Sequence, residues 1–144
     1  MSRDSGLPRR TALIGTACAV VALGLWARTG LPGAAGDASG GILYAVLLYL
    51  LLACAAPRAR CAAVAGAAVV LCMLIELFQL TPYPAAWAAQ WSPLALVFGT
   101  TFNPGDLPAY LAGGTAAGLA DRFFRAAAGP ALRRLRPERH RAHR

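Results

Sequence analysis

The chain has 144 residues, 58% of them hydrophobic, and only 20 charged side chains, of which 14 are basic and 6 are acidic. Four apolar blocks hold 67 residues and a single charge, Glu76: Thr11–Ala27, Gly41–Ala56, Cys61–Leu80 and Leu107–Ala120. This distribution excludes a soluble globular enzyme, in which each helix or strand has a charged face toward water, and the high hydrophobic content excludes a disordered chain. The composition therefore predicts a small polytopic membrane protein.

The apolar blocks are predicted to be membrane-spanning helices. A hydrocarbon core of about 30 Å is crossed by about 20 helical residues, and the first three blocks reach that length with a few flanking residues. The fourth block continues through Asp121 to Ala128, so a helix that begins at Asp106 would be about 34 Å long. Ala and Leu dominate the blocks, and the alternating pattern of a β-barrel strand is absent. The sequence predicts an all-α domain of four transmembrane helices, residues 1–128, followed by a basic, disordered cytoplasmic tail, residues 129–144.

The arginine residues predict how these helices are oriented. All 14 basic residues are arginines, and 13 of them lie before the first helix, between the second and third, or after the fourth; Arg28 is the exception. Because basic loops stay on the cytoplasmic side, both termini are expected in the cytoplasm and the helices in the inner (plasma) membrane. In an alternative, the first helix is a cleaved signal peptide with small residues at positions 33–35 as its cleavage site, which would leave three spans.

The sequence contains no pattern of metal-ligating residues. The four cysteines lie in apolar blocks without a C-x-x-C pair, and both histidines lie in the tail, so we expect no metal and no cofactor. The lipid bilayer is the expected partner, and the eight arginines from residue 122 onward are expected to contact its anionic headgroups at about 1 kcal/mol each. Nucleic acid is not expected, because no aromatic or motif context accompanies these arginines. The oligomeric state stays open.

Glu76, the one charge inside an apolar block, is the first candidate site residue. A charge at this depth costs about 2.5 to 3.5 kcal/mol, so the carboxyl group is expected to be protonated or hydrogen-bonded. Gln79, three residues later, lies on the same helix face, and the helical rise places Glu76 about 6 Å below the outer end of the third helix. Two interpretations stay open: a functional site, or a purely structural polar contact between helices.

The start of the fourth helix supplies further candidates at the same depth. The sequence Asn103–Gly105 is typical of a turn, and Asp106 is a good N-cap residue. Tyr110 lies about 6 Å below the outer end of its helix, and Tyr44, three residues into the second helix, reaches the same level. The sequence therefore predicts a polar pocket in the outer leaflet, lined by Tyr44, Glu76, Gln79, Asp106 and Tyr110.

Two further features surround this pocket. Three glycines in the fourth helix allow it to approach a neighbouring helix closely, which would bring its first turn toward Glu76: Gly113, Gly114 and Gly118. The 25 residues Thr81–Gly105 carry no charge but several aromatic side chains, a composition typical of the headgroup region. We predict that this segment is an interfacial or re-entrant lid over the pocket.

Several short stretches of this sequence form a pattern found in a known family. They lie between residues 41 and 118 and are Leu43–Ala45, Glu76–Gln79, Phe98–Phe102 and Asp106–Gly113. The chain resembles the small bacterial membrane proteins catalogued as domain of unknown function 2809, whose pattern is similar to that of VanZ-like proteins. The resemblance implies a four-helix membrane protein of unassigned biochemical function, related to the cell envelope. Members of both groups commonly carry an Arg in the loop that corresponds to residues 81–105, and its absence here argues against an anion site.

These observations favour an integral membrane protein whose outer-leaflet pocket binds a lipid or amphiphile. An enzyme is the less favoured alternative, with Glu76 as general base and Asp106 as its partner acting on a lipid-linked envelope substrate; no serine, histidine or metal cluster supports it. A transporter is weaker still, since one carboxyl across four spans makes a poor proton pathway. A structural or assembly role without a ligand site is the remaining interpretation.

Overall fold

The computed structural model describes residues 7–134, and over these residues its regular secondary structure is entirely α-helical. The helices are α1 (Leu7–Gly30), α2 (Gly33–Ala55), α3 (Cys61–Phe78), α4 (Tyr83–Gln90), α5 (Leu94–Phe98) and α6 (Asp106–Arg134). No strand is present in this part of the chain, so the predicted all-α class is confirmed. The predicted tail boundary at residue 128 falls inside α6, and residues 135–144 lie outside the described residues.

Three of the helices are long and apolar enough to cross a membrane. Their candidate spans are Arg9–Ala27 in α1, Ala35–Ala55 in α2 and Cys61–Phe78 in α3. The remaining long helix, α6, is not among them, because its apolar block ends at the adjacent charges of Asp121 and Arg122 and is diluted by glycine. The fourth span therefore stays a prediction.

Helix α2 begins earlier than its apolar block indicated. The structure has its first residue at Gly33, eight residues before Gly41, and Pro32 precedes it in an extended conformation. The intervening Gly, Ala, Asp and Ser residues lack hydrophobicity but do not prevent helix formation, and proline is well tolerated at a helix start. Tyr44 is therefore in the fourth turn of the helix rather than in its first.

α2 is the central helix of the bundle, since it packs against α1, α3 and α6. Helix α6 also packs against α3, and its glycines are the contact points. A Cβ at Gly113 would overlap the carbonyl oxygen of Ile42 in α2, whereas Cβ atoms at Gly114 and Gly118 would lie 2.5 Å and 2.9 Å from side chains of α3. A larger residue at any of these positions would push α6 away from its neighbours.

α1 is the peripheral helix. It packs mainly on α2, and only 6% of its apolar window is buried inside the protein. Large side chains such as Ile14 and Leu23 are about half exposed. In a membrane protein such a surface faces lipid, because apolar side chains gain nothing from hiding in a core when the surrounding medium is itself apolar.

The segment between α3 and α6 is folded back over the end of α3. Phe78, Trp87 and Phe98 form an aromatic cluster with ring centroids 5.5 to 6.2 Å apart, which joins α3 to α4 and α5. α5 ends at Gly99, whose φ of +65° is a conformation that side chains other than glycine rarely adopt. A Cβ there would also lie 2.6 Å from the amide nitrogen of Gln79. These contacts fix where the start of α6 meets α3.

Candidate functional site

Glu76 is the buried polar centre of one end of the bundle. It lies in the last turn of α3 and is fully buried. One carboxyl oxygen accepts a hydrogen bond from the hydroxyl of Tyr110 at 2.7 Å, and the other accepts one from the backbone N–H of Asn103. No basic side chain of the described residues forms an ion pair with it. Neutral donors alone therefore hold this carboxyl group.

Asn103 organises the turn that starts α6. Its side-chain oxygen accepts a hydrogen bond from the backbone N–H of Gly105 at 3.1 Å, and its amide nitrogen donates to a carboxylate oxygen of Asp106 at 3.2 Å. Its own backbone N–H donates to Glu76. From the sequence, Asn103 was predicted only to lie in a turn. Its position two residues before a Gly, the spacing of an Asx turn, was the available signal for its role.

Two further polar side chains attach α5 to the bundle. The amide nitrogen of Gln79 donates to the carbonyl oxygen of Phe98 at 2.8 Å. The hydroxyl of Tyr44 donates to the carbonyl oxygen of Val97 at 2.5 Å. The rings of Tyr44 and Tyr110 are 6.4 Å apart. The five residues predicted for the pocket therefore lie at one end of the bundle, with Asn103 as an unpredicted sixth.

A cavity of about 820 Å³ opens beside these residues, between α1, α2, α5 and the start of α6. Its polar end is lined by Tyr44, Gln79, Asp106 and Tyr110, four of the five predicted residues. Glu76 does not line it, but it accepts the hydrogen bond of Tyr110, which does. The walls are apolar and include Val20, Leu25, Leu47, Ile75 and Leu96.

Asp37 is a second carboxylate on this cavity and was not predicted as a site residue. Asp37 precedes the apolar block that begins at Gly41, but it lies in the second turn of α2. Asp106, the first residue of α6 and outside its apolar block, faces the same space. Its pKa is raised, mainly because burial disfavours the charged form and further because Glu76 and Asp37 lie near it. The cavity therefore has an acidic side.

The opposite end of the bundle contains a polar cluster that the sequence analysis missed. Asp121 accepts hydrogen bonds from Arg9 at 2.8 Å, Arg125 at 2.9 Å and the buried Tyr49 hydroxyl at 2.8 Å. The two arginines also donate to the carbonyl oxygens of Pro57 and Ala59 in the connection between α2 and α3. The available signal was an Asp directly after an apolar block with an Arg four residues later.

Asp121 follows the apolar block of α6, and its environment favours the ionised form. Burial alone would raise its pKa, but the hydrogen bonds from Arg125, Tyr49 and Arg9 outweigh that effect and lower the pKa to about 2. The cluster joins the start of α1, the connection between α2 and α3, and α6. It therefore fixes the depth of α6 relative to the other helices.

Within residues 7–134 no group of three or more His, Cys, Asp or Glu side chains could hold a metal ion. In comparisons with known proteins, a family model described as "protein of unknown function (DUF2809)" matches residues 30–114. This range is more than half of the chain and includes every residue at the polar end of the cavity. No curated protein and no solved structure matches the chain. The resemblance to domain of unknown function 2809 seen in the sequence is thus confirmed.

Proposed function

The chain belongs to the DUF2809 family of proteins of unknown function, and we propose that it is a lipid- or amphiphile-binding protein of the inner membrane. In this proposal four helices cross the bilayer, both termini are cytoplasmic, and the cavity opens in the outer leaflet. The resemblance of the sequence to VanZ-like proteins supports a role in the cell envelope. A binding role of this kind differs from that of an enzyme and from that of a purely structural protein.

The cavity is the observation that carries this proposal. Its volume of about 820 Å³ falls within the range of about 300 to 1,000 Å³ typical of small-molecule sites. The cavity is lined by polar groups, among them the phenol groups of Tyr44 and Tyr110, and by aliphatic side chains such as Val20 and Leu47. A molecule with a polar head and a hydrocarbon chain matches both parts, because each part would be buried against groups of its own kind.

The path of α6 supports a fourth span. Its first turn is bonded to the end of α3 through Tyr110 and Glu76, and Arg125 reaches the connection that precedes the start of α3. Helix α6 therefore runs the full length of α3. If α3 crosses the bilayer, α6 crosses it as well, although its small and polar residues make it less apolar. Thirteen arginines of 14 on one side then give the orientation.

In this proposal Glu76 holds the polar end of the cavity in place. It fixes the hydroxyl of Tyr110, whose ring lines the cavity, and the backbone of Asn103, which sets the position of Asp106. An acid–base enzyme is less well supported, because a general base must reach the proton it removes directly or through one water, and Glu76 does not line the cavity.

A cavity-filling substitution tests the proposal. Gly40 lines the cavity, and a Cβ built there meets nothing within 4 Å, so Gly40→Leu would extend into the open space without a clash at its Cβ. Gly66→Leu is the matched control, since Gly66 is equally open but does not line the cavity. We expect native mass spectrometry of the purified protein to show at least about fivefold less bound lipid or hexadecanol for Gly40→Leu and no loss for Gly66→Leu. Equal binding by both variants would show that the cavity is not the site.

A further inference from the structure

We propose that the amphiphile bound in this cavity has a cationic head, an ammonium group attached to a hydrocarbon chain. This inference rests on the proposed function and specifies the class of its ligand. It follows from the charge of the cavity and from the direction of the hydrogen bonds around it.

Among the side chains that the structure describes, two carboxylates and no basic group line the cavity. Asp37 and Asp106 both line it, and no arginine is among the described residues that do so. From Arg28 to Ala120 the sequence contains three acidic residues and three basic ones: Arg28 near the end of α1, and Arg58 and Arg60 in the connection between α2 and α3. That connection is at the other end of the bundle. The local excess of negative charge would attract a cation.

Both carboxylates retain acceptor capacity. Asp106 accepts one hydrogen bond, from the amide of Asn103, and Asp37 has no hydrogen bond or ion pair within the described part of the chain. They differ in this from Asp121, whose carboxylate meets two arginines and a tyrosine. Asp106 is half-buried and Asp37 is exposed, and a bound cation would offset the repulsion between their like charges.

The neutral polar groups of the cavity also favour a cation. The hydroxyl protons of Tyr44 and Tyr110 are donated to Val97 and Glu76, and the amide of Gln79 donates to Phe98. The two phenol groups therefore offer the cavity oxygen lone pairs and ring faces, and ring faces attract alkylammonium groups. The N-terminus of α2 is the opposing feature, since Gly33 and Gly36 line the cavity and free N–H groups at a helix start attract anions. An anionic head is therefore the competing outcome of the test.

The test compares four amphiphiles that share a hexadecyl chain: hexadecyltrimethylammonium, hexadecylphosphocholine, hexadecyl phosphate and hexadecanol. Purified full-length protein receives equal concentrations of all four, and native mass spectrometry counts the bound molecules. We expect about tenfold more ammonium than phosphate compound bound, which corresponds to about 1.4 kcal/mol. Non-specific attraction would give the reverse order, because the net charge of the chain is +8.

Two substitutions connect the preference to the carboxylates. Asp37→Asn and Asp106→Asn should each reduce the ammonium-to-phosphate ratio by about threefold; asparagine at position 106 keeps an oxygen that can accept from Asn103. Glu138→Gln is the control, since it removes the same charge from the segment beyond α6. Thermal unfolding of each variant, matched to the parent, shows that the fold is retained.

The outcomes separate this inference from the proposed function. Two results would overturn the cationic head while the cavity remained a binding site. One is equal binding of hexadecyl phosphate and hexadecyltrimethylammonium; the other is an ammonium-to-phosphate ratio that neither Asp substitution changes. If none of the four compounds loses binding in Gly40→Leu, the proposed function itself fails, and the inference fails with it.

Discussion

Glu76 and Asp121 lie at opposite ends of the bundle, and each holds α6 against its neighbours with a carboxyl group. Asp121 is bonded to two arginines and retains 11% of its side-chain exposure, whereas Glu76 is fully buried and bonded only to a tyrosine hydroxyl and a backbone N–H. Both clusters bond groups that are more than 30 residues apart in sequence. The same task is therefore done by an ion-pair cluster at one end and by neutral donors at the other.

The difference follows from where arginine is available. The arginine distribution concentrates arginine at the end that contains Asp121 and leaves one, Arg28 near the end of α1, toward the end that contains Glu76. A carboxyl group at the arginine-poor end can be satisfied only by N–H and O–H groups, which leaves that end with a surplus of negative charge. The arginine bias that predicts the orientation of the helices is thus also reflected in the chemistry of the cavity beside Glu76.

The largest effect is expected from a test of whether the two ends face opposite sides of the membrane. A reporter active only in the periplasm should be active when fused near Gln90 and inactive when fused after Arg144, since 13 of 14 arginines favour cytoplasmic termini. A reporter active only in the cytoplasm should give the reverse. The mass of the mature protein shows whether the first helix is cleaved. A periplasmic C-terminus in an uncleaved chain would contradict four spans.

The next largest effect is expected at Glu76. Glu76→Leu would leave two donors without an acceptor, the buried Tyr110 hydroxyl and the half-buried Asn103 N–H, at about 1 to 3 kcal/mol for each. We expect the free energy of unfolding in detergent to fall by about 2 to 6 kcal/mol.

The matched control at this position is Glu76→Gln, which keeps the shape and one acceptor oxygen. It should cost less than half as much as Glu76→Leu. If Glu76→Leu were as stable as the parent, the hydrogen bonds of Glu76 would contribute nothing to the fold. The two ends of the bundle would then not be held by equivalent polar clusters. If Glu76→Gln folded normally but abolished a cellular function, a proton on Glu76 would be part of the mechanism.

A smaller effect is expected at Asp121, because Arg9 and Arg125 are partly exposed and can be hydrated when their partner is removed. Asp121→Asn should lower the free energy of unfolding by about 1 to 3 kcal/mol, with the buried Tyr49 hydroxyl losing its best acceptor. The pKa of Asp121, lowered to about 2, predicts a distinct pH dependence of the stability. The stabilisation is present above the unfolded pKa of about 3.9 and is lost as the pH falls toward 2.

The pH signature is read as a difference between two unfolding series. The stability gap between the parent and Asp121→Asn should be constant from about pH 5 to 7 and should close between about pH 4 and 2. Subtraction removes the contribution of Asp106, whose raised pKa acts in the opposite direction. A gap that does not change with pH would mean that Asp121 is not held as an anion.

The sequence alone predicted the features that depend on local composition. Three spans follow from the apolar blocks, and counting residues from the helix ends placed Glu76 and Tyr110 at one depth, where a hydrogen bond joins them. It did not predict the contact of Arg9 with Asp121, which are 112 residues apart, or the position of Asp37 on the cavity. Such contacts depend on how α1, α2 and α6 pack, and no short stretch of sequence encodes that packing.

Gly99 has a consequence for how this family can vary. Its positive φ and the amide of Gln79 beside it restrict the position in two independent ways, by backbone strain and by lack of space. A shorter side chain at position 79 would relieve only the lack of space, not the backbone strain. Gln79 can therefore be replaced while Gly99 stays, whereas Gly99 cannot be replaced while the backbone keeps its positive φ. Across related sequences, position 99 should therefore be the more slowly changing of the two, and any lineage that has replaced its glycine should also have rebuilt the turn after α5.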